Sequence, residues 1–446
     1  MTRKTLVLFF FLIATSYASI AQNLNKPKLD SLFASLESHN RAMGSLAVSS
    51  NGVVVYQKAI GYLSVNGSDK IAPNVHTKYR IGSISKMFTA TMVFQLIEEG
   101  RLSLTAPLST WYPQLPNASK ITISNMLDHR SGLHNFTNAS GYFASMTKPH
   151  TEEEMLATFE KQTPDFEPDT KAEYSNTNFV LLGYIIEKIT KKSYPEELKA
   201  RIVSKLGLKD TYYGAKTDVK NNEAYSYAFV DSWIQRPETD MSIPGGAGAI
   251  LSTSTDLVKF AEALFAGKLI SQEHLNLMKT QKDNYGMAMF ALNFDDKTGF
   301  GHNGAIDGFT SVLTYFPGEK LAIAYCSNGG QYGVNKVKND VLSIYFNKPF
   351  TIPDFKPGIA GIEKTGDLDK YLGVYSSTQL PLKITITKDN ITLKAQATGQ
   401  GQFNLNAIAP DKFGFDPAGI VMEFEPAKNQ FTLKQGGGTF IFTKDK

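Results

Sequence analysis

Only one of the 446 residues is cysteine, Cys326. A lone thiol makes no internal disulfide, so the fold has to hold by its core alone. Inside the apolar run LAIAYCSNGG, Cys326 reads as a small buried filler rather than a reactive thiol. Histidine is scarce as well. Seven scattered histidines beside one cysteine make no zinc set, and His-Glu-x-x-His does not occur. His129 and His134 are five positions apart, which puts them on different faces of a helix, and both read as structural. Gly-x-Ser-x-Gly, the nucleophile elbow of one large class of hydrolases, is missing. So are a phosphate-binding loop and a dinucleotide fingerprint. No cofactor and no metal is expected. Charge of either sign is not in excess: 46 Lys and Arg stand against 42 Asp and Glu, with no dense basic cluster, which leaves no footing for nucleic acid or an anionic membrane. There is no internal repeat and no apolar run of transmembrane length.

What is present begins with 42% hydrophobic and 20% charged residues, the balance of a globular protein with a sizeable core. The N-terminus reads MTRKTLVLFFFLIATSYASIAQ. Arg3 and Lys4 precede an apolar run over residues 6–14, and small residues around Ala21 offer a cleavage point before Gln22. This is the pattern of a secretory signal peptide over residues 1–21, so the mature chain is expected in the periplasm or outside a bacterial cell. No cysteine follows the run to carry a lipid, so no stable membrane anchor is expected, and no obligate protein partner is evident.

Periodicity sets out the rest. Residues 28–39 have apolar positions at helical spacing, and SLAVSSNGVVVYQKAIGYL reads as two strands turning at Asn51-Gly52. A helix is expected from Ser83 to a stop at Gly100, with others over 122–127, 151–159, 179–189 and 195–206. From Gly245 the text gives a glycine turn, a short strand and a helix capped by Ser254 or Thr255. A hairpin turning at Pro317-Gly318 and a helix over 334–346 follow. Residues 347–361 are rich in Pro and Gly and mark a boundary. Beyond them seven short alternating segments (YLGVYSS, LKITITKD, NITLKAQA, FNLNAIA, IVMEFEP, QFTLKQ and TFIFTKD) read as a small antiparallel barrel or sandwich.

Three short stretches carry chemistry. In RIGSISKMFTA, Ser83 and Lys86 stand at i and i+3, on one face of the helix's first turn, and Lys86 is set among Met87, Phe88, Met92 and Val93. Burial disfavours the ammonium, so this lysine is a plausible base for a serine that needs one. On the pair alone, a cap and a solvated charge is the commoner meaning. In EYSNTNF, Tyr174 beside a cation would lose its proton more easily, and Asn176 offers a donor and an acceptor suited to an amide. In isolation a helix cap and a packed ring is the better reading of these two residues. In GHNGAIDGF, the glycines around His302 and Asn303 permit close backbone approach to a ligand, while the histidine alone suits a strand edge.

Taken in order, SISK, YSN and HNG resemble the three motifs of the penicillin-recognising serine hydrolases, the superfamily of class C β-lactamases, D-alanyl-D-alanine carboxypeptidases, D-aminopeptidases and related esterases. The phrases LIEEGRLSL, MLDHRSGL and GGAGAILSTSTDLVKFAEAL stand where that superfamily has similar text, and the resemblance runs over about residues 29–346. It implies an α/β (α+β) fold of the β-lactamase/transpeptidase type: a central antiparallel sheet flanked by helices, a helical subdomain, and here a small all-β C-terminal barrel. The expected organisation is a hydrolase domain over 22–350, a linker over 351–361 and a lipocalin-like β domain over 362–446. By position, Ser83 is implied as nucleophile, with Lys86 and Tyr174 moving its proton. Asn176, His302, Asn303 and Gly304 are implied in substrate binding, and the backbone N–H groups of Ser83 and Ala305 as the oxyanion hole. The implied activity is hydrolysis of amide or ester bonds in small molecules or short peptides through an acyl-enzyme; the alternatives are a class C-like β-lactamase and a slowly acylating penicillin-binding sensor. Three departures stand out. Pro168-Asp169 replaces a frequent Pro-Gly, Arg130 replaces a threonine, and His302 takes the place of the lysine of many β-lactamases. The last shifts the expectation from β-lactams towards peptides and esters.

Overall fold

The computed structural model describes residues 24–139, 141–229, 232–355, 368–380, 382–389, 392–398, 402–415, 420–435 and 438–445. The expected signal segment over 1–21 lies outside the described residues, as does most of the expected linker. The chain enters on α1 (Lys26–Ser38), capped by the Asn25 side chain on the Lys28 N–H, and buries Leu29, Leu32, Phe33 and Leu36. β1 (Ala42–Ser50) and β2 (Val53–Ile60) form the expected hairpin. Asn51 and Gly52 turn it with φ of 52° and 82°, a left-handed backbone that these two residue types tolerate best.

The hairpin belongs to a sheet completed much later in the chain by β3 (Phe290–Ala291), β4 (Phe300–Ile306), β5 (Phe309–Phe316) and β6 (Leu321–Gly330). The order is β3-β4-β5-β6-β1-β2, antiparallel throughout. Helices fill the interval and the end: α2 (Ser85–Glu98), α3 (Asn176–Thr190), α4 (Ser254–Phe265) and α5 (Val334–Tyr345). Because strand residues alternate between faces, Val48, Val312 and Tyr325 pack under α1 and α5, while Ala47, Leu313 and Ala324 pack under α4 and the other helices. The second helix has almost no polar face and is buried from Ser85 to Leu96, which makes it the centre of the larger core. Phe88 stacks on Phe260 of α4 with ring centroids 3.8 Å apart.

Four expectations shift in detail. Ser83 lies not in the α-helix but in a 3₁₀ turn, Gly82–Ile84, that leads into it. The cap of α4 is Thr253, whose side chain takes the Asp256 N–H; Ser254 already points its hydroxyl at Ser45 O, so it is unavailable for that duty. The helix expected over 195–206 is broken by a π turn over Lys199–Val203. Finally, among the described residues the C-terminal strands number eight, not seven. They are β7 (Gly373–Ser376), β8 (Lys383–Asp389), β9 (Thr392–Ala397), β10 (Phe403–Ala409), β11 (Lys412–Phe415), β12 (Ile420–Glu425), β13 (Gln430–Gln435) and β14 (Gly438–Lys444), in sequential antiparallel order. β7 and β14 pair through Tyr375 with Lys444 and Ser376 with Thr443, which closes the barrel. Among the described residues no helix is long and apolar enough to cross a membrane.

Candidate active site

The hydroxyl of Ser83 sits between an amine and a phenol. Lys86 Nζ is 3.0 Å from Ser83 Oγ, and the Tyr174 hydroxyl donates to the same oxygen at 2.7 Å. Lys86 is fully buried. Its nitrogen has two further neighbours, Asn176 Oδ1 and the Ala247 carbonyl, both at 2.8 Å, and both are pure acceptors. Among the described residues no carboxylate pairs with it. Burial therefore pushes the amine well below the usual lysine range. A neutral amine has two hydrogens and one lone pair. The two carbonyl-type oxygens take the hydrogens, which leaves the lone pair facing the Ser83 hydroxyl.

Tyr174 behaves against expectation. Its phenol is pushed up rather than down, chiefly by burial, which outweighs the hydrogen bond to Ser83. It remains a donor. Its ring lies 4.4 Å from His129 and 6.2 Å from His302, and Lys86 Nζ stands 4.9 Å from its centroid. His129 accepts the Ser175 N–H through Nδ1, so the residue read as structural also braces the tyrosine. Asn176 is held at both ends: Oδ1 on Lys86, and Nδ2 on Asn135 and Thr137.

The third motif divides. His302 is opposite Leu313 in the strand register and so faces the larger core beside Tyr174 and Phe290. Burial, the largest cause, pushes its imidazole down to about 3, so it is neutral at pH 7. Asn303 is opposite Val312, on the face covered by α1 and α5, and its amide bonds Asn335 of α5 at 3.3 Å. It is not brought to Ser83, because one step along a strand reverses the side chain. Gly304 works by what it lacks: a Cβ there would lie 2.0 Å from Ile81 O. Likewise a Cβ on Gly82, where φ is +51°, would lie 2.7 Å from Ala305 N. Two glycines thus let β4 lie directly on the 3₁₀ turn that carries Ser83. Cys326 is buried, its thiol pushed up to about 12, as a filler would be.

Above Ser83 opens a cavity of about 510 Å³. Asn176, Ala247 and Ala305 line it near the hydroxyl, with Phe136, Tyr142 and Met146 as an apolar wall and Phe143, 77% exposed, also on its lining. Arg236 and Asp307 are its charged residues. Sequence reasoning missed the Ala247 carbonyl, Asn135 and Thr137; a backbone oxygen and two ordinary polar residues carry no signal of their own.

Comparison with known proteins identifies the family. The chain is 25% identical to a penicillin-binding protein of Bacillus subtilis (strain 168), over 93% of this chain and 97% of that one. It is 25% identical to the teichoic acid D-alanine hydrolase of Staphylococcus aureus, over 76% and 83%. In structure it resembles the D-amino acid amidase of Ochrobactrum anthropi SV3 complexed with D-phenylalanine, with TM-score 0.63 and 28% identity, over 72% of this chain and 99% of that one. Residues 29–343 match the Beta-lactamase family, and the chain belongs to that family as a serine hydrolase of the penicillin-recognising kind.

Proposed function

We propose that Ser83 is the acylated nucleophile of an exported hydrolase acting on amides or esters of small D-aminoacyl or peptide-like compounds. The observation that carries this is the fully buried Lys86, its pKa pushed well below the usual lysine range by burial, with Nζ 3.0 Å from Ser83 Oγ. In the first step Lys86 takes the hydroxyl proton as Oγ attacks the scissile carbonyl. The developing oxyanion is met by the N–H groups of Ser83 and Ala305, a role that the close approach of Gly82 to Ala305 supports. As the tetrahedral intermediate collapses, the neutral Tyr174 phenol gives its proton to the leaving nitrogen or oxygen, and the Lys86 ammonium replaces it. Water then repeats the sequence on the acyl-enzyme, which returns both groups to their starting state. Asn176 fixes the amine's direction while its own amide is locked from behind.

The apolar wall of the cavity suits an uncharged acyl side chain, and the amidase and D-alanine hydrolase among its relatives favour a D-configured residue. The basic, then apolar, then small-residue pattern over residues 1–21 supports export. The test is a panel of D- and L-aminoacyl amides, simple esters and a cephalosporin, with mass spectrometry of the trapped protein. Sustained turnover of D-aminoacyl compounds with the adduct on Ser83, and loss of about 10⁴-fold or more in Ser83→Ala, is the expected result. A single stoichiometric burst without turnover would mean a sensor instead.

A further inference from the structure

Where many β-lactamases place a lysine for the substrate's carboxylate, this chain has His302, buried and neutral. Some other group has to hold the non-reacting end of a charged substrate. Of the two charged residues on the cavity lining, Asp307 is fully engaged. Its Oδ2 accepts from Arg80 at 3.0 Å, and its Oδ1 accepts from the Thr239 N–H and hydroxyl at 2.9 and 2.7 Å. Its side chain has no exposed surface. The Arg236 guanidinium, in contrast, has no hydrogen bond or ion pair among the described residues, and the residue is exposed.

Yet Arg236 is placed. Its N–H donates to Ser226 O at 2.8 Å, and Pro237 behind it confines its backbone to extended geometry. Its stem lies against Gly308, three residues beyond Ala305. A Cβ on Gly308 would fall 2.8 Å from Arg236 Cγ and 3.2 Å from the Ser226 side chain. Gly308 is not in the left-handed region, so the turn itself does not demand glycine. The missing side chain makes room for the arginine. A cation anchored at the cleft of Ser83, its guanidinium donors unpaired among the described residues, suits the binding of an oxyanion.

We infer that Arg236 is the anion subsite of this cleft: the substrate carries a carboxylate or phosphodiester remote from the scissile carbonyl, and the guanidinium grips it through two parallel N–H bonds. This rests on the reading that Ser83 reacts in the same cavity. The test is calorimetric binding to Ser83→Ala protein, which forms no acyl-enzyme, with two matched pairs. One is an N-acyl-D-alanyl-D-alanine against its carboxamide. The other is the D-alanyl ester of glycerol methyl phosphate against that of glycerol. The anionic member of at least one pair binds on the order of tenfold tighter, and the pair that responds identifies the source of the anion. Adding Arg236→Ala removes the preference, Arg236→Lys keeps part of it, and raising salt from about 50 to about 500 mM shrinks it. Equal affinity in both pairs, a preference that survives Arg236→Ala, or no saturable binding by any anionic member overturns the inference. Failure of the catalytic reading shows elsewhere, as the absence of an acyl adduct on Ser83 in the native protein.

Discussion

At the scale of single residues, Lys86 sets the protein's pH behaviour. Burial in the folded chain depresses its pKa well below the ordinary value, whereas in the unfolded chain it stays protonated up to about 10.4. Between the depressed folded value and about 10.4 the unfolded state therefore binds one more proton, and stability rises with pH by about 1.4 kcal/mol per unit from this group alone. Lys86→Met removes the dependence. The unfolding free energy of the variant relative to native should thus improve by about 1.4 kcal/mol for each unit of pH lowered below 10 until the folded value is reached. Urea melts of both proteins at pH 7, 8 and 9 check this, and a constant difference would mean that the folded amine is charged. Activity should move the opposite way, lost in Lys86→Met at every pH, because a thioether takes no proton. Ser83, Lys86 and Tyr174 were legible in the sequence because each lies in a short local motif. The partners that tune them were not. The Ala247 carbonyl, Asn135 and the Gly308 gap under Arg236 act across the chain, and nothing in their neighbours' spelling marks them.

At the scale of elements, two departures from the family's wording become one contact. Asp169 stands where a glycine is frequent, and its φ is +64°, the left-handed backbone that explains the glycine. Arg130 stands where a threonine is frequent. Arg130 Nε bonds Asp169 Oδ1 at 2.6 Å and its Nη2 bonds the Asp169 carbonyl at 2.6 Å. Arg130 and Lys282 together hold the Asp169 carboxyl below its usual range. The Asp169 N–H returns to the Arg130 carbonyl, and the Glu173 N–H to that of His129. The pair thus ties the loop before Tyr174 to the loop bearing His129, and a strained aspartate is kept by the arginine that needs it. A double-mutant cycle of Arg130→Thr and Asp169→Gly should give a coupling of about 1 kcal/mol, modest because Asp169 is more than half exposed. The double variant should unfold closer to native than the two single losses summed, and additivity within error would reduce the contact to coincidence. The sequence displayed both substitutions but not their meeting, since they are far apart along the chain and neither is in a motif.

At the scale of the whole molecule, the apolar residues divide into cores that share no member. Those of the hydrolase unit draw on residues up to Phe355, and that of the barrel on residues from Leu368 onward. The barrel was readable as alternating strands except β11, whose four residues KFGF include a glycine and follow a tight turn at Asp411, with φ of 55°. The boundary was read less well. A Pro-rich stretch looked like linker from residue 351, yet Ile352 and Phe355 pack on the α1–α5 core. Ser35 Oγ donates to Pro353 O at 2.9 Å, and Phe355 meets the rings of His39 and Tyr332 at 5.5 and 5.7 Å with Arg41 above it at 5.0 Å. Proline fixes an extended path without making that path free, because side chains between prolines still find a surface. We propose that the hydrolase unit extends at least to Phe355. A chain stopped there should melt cooperatively and keep its ester turnover, since both of its cores are complete. A chain stopped at residue 348 loses Phe350, Ile352 and Phe355 from the surface of α1 and should be less stable by about 2–4 kcal/mol. Urea melts of the two truncations decide it. Equal midpoints would make residues 349–355 mere linker, and loss of folding in both would make the barrel part of what holds the hydrolase together.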